Sequence, residues 1–147
     1  MSLNRFLAEE RLKIHKTSRP EISDLLSIVE RDLADAAIPQ LSADRRFATA
    51  YNAALQLATI ALYAHGYKAG GSGHHWLTFK VLPEIMGNDF TGLADYFDTC
   101  RSKRNLTDYD RSGEISQTET EELLEEVVKF RSKVMDWLKR EHPELPA

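Results

Sequence analysis

A short polar segment in the second half of the chain contains the side chains whose types and spacing best suit chemistry. Residues 101–105 read Arg-Ser-Lys-Arg-Asn, and Tyr109 follows shortly afterwards. A guanidinium can hold phosphate oxygens through two parallel hydrogen bonds, and it does so without titrating near neutral pH. The segment therefore predicts a surface for a phosphate-bearing or other anionic ligand, built on Arg101, Lys103 and Arg104 together with Asn105.

The position of Arg104 at the end of an apolar helical stripe makes it the main candidate. Continuing the stripe by one turn reaches Arg104, so its guanidinium is expected to emerge from the packed side of a helix. Two structural alternatives stay open: a pairing with the carboxylate of Asp108, or cations that favour the negative end of a helix. The stripe consists of Phe90, Leu93, Ala94, Phe97 and Cys100.

Two adjacent histidines, His74 and His75, follow a glycine-rich stretch at residues 68–73 that is expected to be a mobile loop. Side chains of neighbouring residues on a helix diverge by about 100°, so this pair is poorly placed to chelate a metal. One histidine is expected to cap or pack beside Trp76, and the other to face solvent or a ligand. Phosphate-loop, dinucleotide-binding and zinc-binding spacings are all missing from the sequence, so neither a metal nor a cofactor is expected.

Hydrophobic periodicity predicts that helices position these residues. The fold class is expected to be all-α, an antiparallel up-and-down bundle with four core helices plus one or two short helices, because no strand pattern competes with the helical one. The helix that begins near Ser42 is apolar on nearly every side and is expected to lie at the centre. Residues 1–18 are expected to form an N-terminal helix or arm, with Phe6, Leu7, Leu12 and Ile14 on its inner side. Core helices are predicted near residues 20–38, 42–66, 89–107 and 116–141, and shorter ones near 2–16 and 74–86.

Composition limits the class of protein. With 147 residues and 42% hydrophobic content, the chain is expected to form a single domain over residues 1–147. Its net charge of -4 gives no overall footprint for nucleic acid, so any such contact must be local. The single cysteine, Cys100, fits a reducing compartment. No apolar run approaches the roughly 20 residues of a membrane span, and no signal peptide is recognisable, so a cytoplasmic protein without membrane contact is expected.

These features together resemble the HEPN family of helical-bundle proteins, named for higher eukaryotes and prokaryotes nucleotide-binding. The ribonuclease members carry an arginine, a polar residue, a short spacer and a histidine near a helix end. Arg104 and Asn105 match the first two positions, and Tyr109 stands where the histidine would be. The resemblance covers about residues 44–140. Three further segments contribute to it: Ala64-His65-Gly66-Tyr67, Gly73-His74-His75 and Leu93-Ala94-Asp95-Tyr96-Phe97.

The resemblance implies a homodimer, because nuclease members often build their cleft from two subunits, in which arginine stabilises phosphate and histidine moves protons. A phenol with a reference pKa of about 10 is a poor general base at neutral pH, so Tyr109 does not easily replace that histidine. We therefore favour a binding or regulatory module that recognises a nucleotide, RNA or a nucleotidyltransferase-type partner. Its ligand surface would comprise Arg101, Lys103, Arg104, His74 and His75.

The alternative is a metal-independent endoribonuclease of the kind found in toxin–antitoxin pairs. In that case Arg104 and Asn105 would hold the phosphate, and His74, His75 or Tyr109 would supply the proton chemistry.

Overall fold

The computed structural model describes residues 2–70, 73–109 and 115–145, and within those ranges the fold is a helical bundle with one small two-stranded sheet. The all-α prediction is confirmed. In chain order the elements are α1 (Ser2–Ala8), β1 (Leu12–Ile14), α2 (Arg19–Ala36), α3 (Ala43–Ala64), β2 (Tyr67–Ala69), α4 (His74–Lys80), α5 (Leu82–Met86), a 3-10 turn (Asn88–Phe90), α6 (Thr91–Tyr109) and α7 (Gln117–Glu141).

Local signals in the sequence set several helix boundaries. The Ser42 hydroxyl accepts a hydrogen bond from the Arg45 backbone N–H at 3.3 Å and begins α3. Gly66 adopts a φ of 100° just beyond the end of α3, a conformation that glycine tolerates best. Ser116 and Glu119 form a reciprocal capping box at the start of α7. These boundaries agree with the sequence predictions because capping chemistry is local.

The helix predicted to be central, α3, is buried on almost all sides and packs against α2, α6 and α7. An aromatic chain joins α4, α6 and α7: the ring centroids of Phe79 and Phe97 are 5.6 Å apart, and those of Phe97 and Phe130 are 5.1 Å apart. All three rings are buried. Because interiors are close-packed, this chain fixes how α6 lies against α4 and α7. In the ranges that the structure describes, no helix is long and apolar enough to cross a membrane.

The N-terminal segment departs from the predicted helix near residues 2–16. The first helix ends at Ala8 because Glu10 adopts a φ of 60°, a left-handed conformation that ends a helix. The Arg11 backbone N–H then donates to the Phe6 carbonyl at 2.9 Å, which closes the helix end. Leu12 is buried as expected, but Ile14 is 84% exposed, so its predicted inward position is wrong.

Residues 12–14 form a short strand that pairs antiparallel with residues 67–69, although the sequence shows no strand pattern in either segment. Lys68 and Ala69, expected in a mobile loop, belong to β2 instead. The ladder satisfies backbone groups between segments far apart in sequence, and such pairing leaves no periodic pattern in either segment. The rest of that predicted loop includes Gly71 and Ser72, which lie outside the described residues.

A buried arginine joins the ends of two helices to α3. Arg46 is 6% exposed, and its Nε donates to the Ala36 carbonyl at 2.8 Å. Its second contact is from Nη1 to the Gln117 side-chain oxygen at 3.0 Å. Ala36 ends α2 and Gln117 begins α7, so one guanidinium links three helices at this end of the bundle.

Candidate functional site

Helix α6 directs two arginines toward α3 and α4. Arg101 and Arg104 are three residues apart on the helix and therefore share a face. The Arg104 guanidinium carbon lies 5.7 Å from the centroid of the Tyr51 ring on α3, within the range of a cation–π contact. Arg101 donates from Nε to the Asp98 carboxylate at 2.8 Å. Both arginine side chains are partly exposed, so an external ligand can reach them.

Tyr51 connects the arginine face to α4. Its side chain is 1% exposed, and its hydroxyl oxygen lies 3.3 Å from Nδ1 of His75, within hydrogen-bond distance. Burial raises the pKa of the Tyr51 phenol well above its ordinary value, an effect that the positive charges of Arg104 and Arg101 only partly offset. At neutral pH the phenol therefore keeps its proton and serves as a hydrogen-bonding group.

The third member of this cluster, His75, is held in its neutral form. Burial is the largest cause of a pKa lowered to about 4, and nearby His74, Arg104 and Arg101 lower it further because each disfavours a positive imidazolium. At pH 7 the ring is therefore neutral, with one nitrogen that donates and one that accepts a hydrogen bond. An anion bound at the two arginines would cancel part of their field and favour the imidazolium.

The remaining predicted site residues lie in different places. Lys103 forms an ion pair with Glu119 of α7, so it is directed away from Tyr51 and His75. His74 is exposed, and its ring is perpendicular to that of His75 with a centroid separation of 4.4 Å. Asn105 is partly buried on α6. Tyr109 is the last residue of α6, and its side chain, like that of Asp108, lies outside the described part of the structure.

The structure thus brings Arg101, Arg104 and His75 together around Tyr51, a residue that sequence reasoning had assigned only to the core. Tyr51 fits the apolar pattern of the central helix, and nothing in that pattern indicates which part of α6 packs over it. The hydroxyl of Tyr51 could have marked it as a site residue, because a buried phenol needs a hydrogen-bond partner.

The structure also bears on two other kinds of chemistry, a cysteine nucleophile and a bound metal ion. Cys100 is buried, and burial raises the pKa of its thiol to about 11, so it is not a thiolate nucleophile at neutral pH. Within residues 2–70, 73–109 and 115–145, no three His, Cys, Asp or Glu side chains are grouped so that they could hold a metal ion. What this site offers is two fixed cations, a neutral imidazole and a buried phenol.

A comparison with known protein families identifies a match. A family model described as SAV_6107-like HEPN matches residues 37–135, a range that runs from just before α3 into α7 and includes the whole Tyr51, His75 and arginine cluster. No curated protein and no solved structure matches the chain significantly.

Proposed function

The chain belongs to the HEPN family of nucleotide- and RNA-related helical modules, and from that premise we propose that it binds a phosphate-bearing ligand, a nucleotide or single-stranded RNA, through Arg101 and Arg104. The observation that carries this proposal is the placement of the Arg104 guanidinium over Tyr51 beside the neutral ring of His75. Arginine suits this role because its planar donors match phosphate geometry.

Binding fits the local proton chemistry better than cleavage does. A general base acts best when its pKa lies near the working pH, and the pKa of His75 is about 4. The raised pKa of Tyr51 makes that phenol an even weaker acid. Tyr109 also replaces the histidine of the nuclease signature.

Binding is tested with a fluorescently labelled single-stranded RNA, whose anisotropy is followed across a salt series. For single strands, log K falls with log salt by about 0.7 for each phosphate contact. We expect Arg104→Ala to weaken binding and to reduce the salt slope by about that amount. Lys103→Ala is the matched control, because Lys103 lies on the same helix but pairs with Glu119. Equal losses in both variants would indicate a diffuse charge effect and would contradict the proposed site.

A second function, metal-independent RNA cleavage, is favoured by one observation: His75 lies beside two arginines whose field a bound phosphate would reduce. Incubating the RNA and protein with EDTA separates the two functions. Binding without cleavage supports the module. Cleavage that disappears in Arg104→Ala supports the endoribonuclease, with Arg104 and Asn105 on the phosphate.

Tyr109→His sharpens this choice because it restores the nuclease signature of the family. If the scaffold is a nuclease bundle that lacks its base, this variant gains EDTA-resistant cleavage that the wild type does not have. Tyr109→Phe is the control, since it removes only the hydroxyl. Cleavage by wild type that is lost in Tyr109→Phe would instead give the phenol a direct role.

We also propose a homodimer, in line with the two-subunit clefts of the nuclease members. Sedimentation at micromolar concentration should give a mass near twice that of the 16.7 kDa chain. A single monomeric species under those conditions would contradict this proposal without affecting ligand binding by one chain.

A further inference from the structure

A cavity of about 260 Å³ lies between α2, α3, β2 and α4, next to the arginine face. Typical pockets for drug-sized ligands occupy roughly 300–1,000 Å³, so this one suits a smaller group. Amides, aromatic rings and threonine hydroxyls line it together with aliphatic side chains. The polar and aromatic part of the lining includes Asn52, Gln56, Tyr63, His74, His75 and Thr78.

The amide groups of the cavity differ in how the protein uses them. Asn52 donates from Nδ2 to the carboxylate of Asp32 at 2.6 Å, and Asp32 is only 4% exposed. This bond fixes the Asn52 amide, so its carbonyl oxygen remains as an acceptor. Gln56 has no hydrogen-bond partner among the residues that the structure describes. Its donor and acceptor are therefore both available at the cavity wall.

The hydroxyl and aromatic groups add to this pattern. Thr78 donates to the His74 carbonyl at 2.7 Å, which leaves the threonine oxygen as an acceptor. Tyr63 contributes an aromatic ring that is already packed against His15 at a centroid distance of 4.7 Å. Rings with restricted motion are good stacking platforms, because little conformational entropy is lost when a flat ligand binds.

The cavity and the arginine face share one residue, His75. The same imidazole that lines the cavity lies beside the Tyr51 hydroxyl, and the Arg104 guanidinium lies over the ring of that phenol. A ligand with an anionic group at the arginines and a flat polar group in the cavity would therefore lie close to His75 with both parts. Nucleotides combine these two parts, an anionic phosphate and a flat polar base.

We propose that this cavity is a base pocket, which takes the nucleobase of the nucleotide whose phosphate lies at Arg101 and Arg104. The assignment rests on the proposed function for the position of the phosphate. The carboxamide of Gln56 presents a donor beside an acceptor, the arrangement that pairs bidentately with base edges, and unstacked bases bind proteins through such edges and through aromatic stacking. A ribose phosphate without a base would leave these groups unused.

The proposal is tested by titrating the protein with the four nucleoside 5′-monophosphates, the four nucleosides and ribose 5-phosphate, followed by the side-chain amide resonance of Gln56. At least one nucleotide should bind more tightly than ribose 5-phosphate, by roughly 5- to 150-fold if one bidentate amide contact is made. The Gln56 resonance should shift with nucleotides and nucleosides, and ribose 5-phosphate should leave it in place.

Gln56→Met removes the amide while keeping side-chain length and helix propensity. It should abolish the advantage of nucleotides over ribose 5-phosphate and leave ribose 5-phosphate binding unchanged. Gln40→Met, at an exposed position in the connection between α2 and α3, is the matched control and should change neither affinity. An unchanged melting temperature shows that each variant is folded.

The outcomes separate the base pocket from the phosphate site. If nucleotides and ribose 5-phosphate bind equally, and Arg104→Ala weakens both, the base pocket is wrong and the phosphate site stands. If nucleosides bind, lose affinity in Gln56→Met and are unaffected by Arg104→Ala, the pocket is supported even where the phosphate affinity is absent. If none of these compounds binds, both proposals are overturned.

Discussion

The molecule uses two arginines in opposite ways: Arg46, which lies on α3, and Arg104, which contacts α3 from α6. Arg46 is 6% exposed and places its donors on the Ala36 carbonyl and the Gln117 side-chain oxygen. Arg104 is partly exposed and lies over the face of Tyr51. The first guanidinium joins the ends of helices, and the second covers an aromatic ring at the edge of the bundle. The difference indicates that only the second is placed to meet a ligand.

The two environments also differ in how much the fold depends on the charge. The last carbonyls of a helix lack partners within the helix, and Arg46 supplies one at the end of α2, where the helix dipole also favours a cation. Cation–π contacts at exposed sites contribute only about 0.5–1 kcal/mol. Because Arg46 is buried and Arg104 is partly exposed, stability should depend more strongly on Arg46 than on Arg104, with ligand binding showing the reverse order.

The largest expected effect is the loss of stability in Arg46→Ala. Hydrogen bonds to charged groups contribute about 1.5–3 kcal/mol each, so losing two should lower the unfolding free energy by roughly 3 kcal/mol or more. A change of 1 kcal/mol shifts the melting temperature by about 2–4 °C at this chain length, so a fall of roughly 6–12 °C is expected in calorimetry. The exposed neighbour gives the control, since Arg45→Ala should change stability by less than about 0.5 kcal/mol. Similar melting temperatures for Arg46→Ala and Arg45→Ala would contradict the structural role of Arg46.

Arg104→Ala should have its effect on binding instead. Losing a charge-assisted contact to phosphate is expected to weaken RNA affinity by roughly 10- to 150-fold, with a stability loss smaller than that of Arg46→Ala. Arg104→Lys keeps the charge but cannot bind bidentately, so its affinity should lie between those of wild type and alanine. If Arg104 were instead a buried member of a structural ion pair, its removal would cost about 3–5 kcal/mol. That result would show that Arg104, like Arg46, stabilises the fold and is not placed for ligand binding.

The acid sensitivity of the fold should depend in part on His75. Its pKa is about 4 in the folded protein and about 6.5 in an unfolded chain. Between those values the unfolded state binds more protons, so stability rises with pH. The contribution is fully present above pH 6.5 and is lost as the pH falls toward 4. Allowing for solvent screening at this partly exposed ring, it amounts to about 1 kcal/mol.

His75→Gln tests this contribution because it removes the titration and retains a side chain that can hydrogen-bond to Tyr51. Denaturant unfolding from pH 4 to 7 should show a flatter stability profile for the variant than for wild type. Burial also lowers the pKa of His65, so the variant should keep part of the pH dependence. Identical profiles for wild type and variant would mean that the pKa of His75 is the same in the folded and unfolded states, which would contradict the prediction.

The smallest effect is expected for Lys103, whose pairing with Glu119 lies at the surface. Exposed ion pairs contribute about 0.2–1 kcal/mol, so Lys103→Ala should lower the melting temperature by no more than a few degrees. This variant also tests Lys103 as a ligand-binding residue. A loss of RNA affinity as large as that of Arg104→Ala would indicate a diffuse charge effect and would contradict the proposed site.

The sequence predicted those parts of the fold that depend on local rules. The apolar surface of α3 indicated a central helix, and the serine caps of α3 and α7 marked the starts of those helices. The pairing of β1 with β2 was missed, because it depends on contacts between segments far apart in the chain. Tyr51 was missed for the same reason, because its contacts with Arg104 and His75 join three separate helices. Arg104 and His75 were each identified as candidates from their own local sequence.

The most direct test of the arginine site is an NMR titration of the His75 imidazole with and without inorganic phosphate, in wild type and in Arg104→Ala. Without ligand the pKa in wild type should be near 4, because burial and the two arginines disfavour the charged ring. Bound phosphate should raise it, since a nearby anion favours the imidazolium. In Arg104→Ala the pKa without ligand should be higher than in wild type, and phosphate should change it little. A wild-type pKa near 6.5 that is the same with and without phosphate would contradict an anion site beside His75.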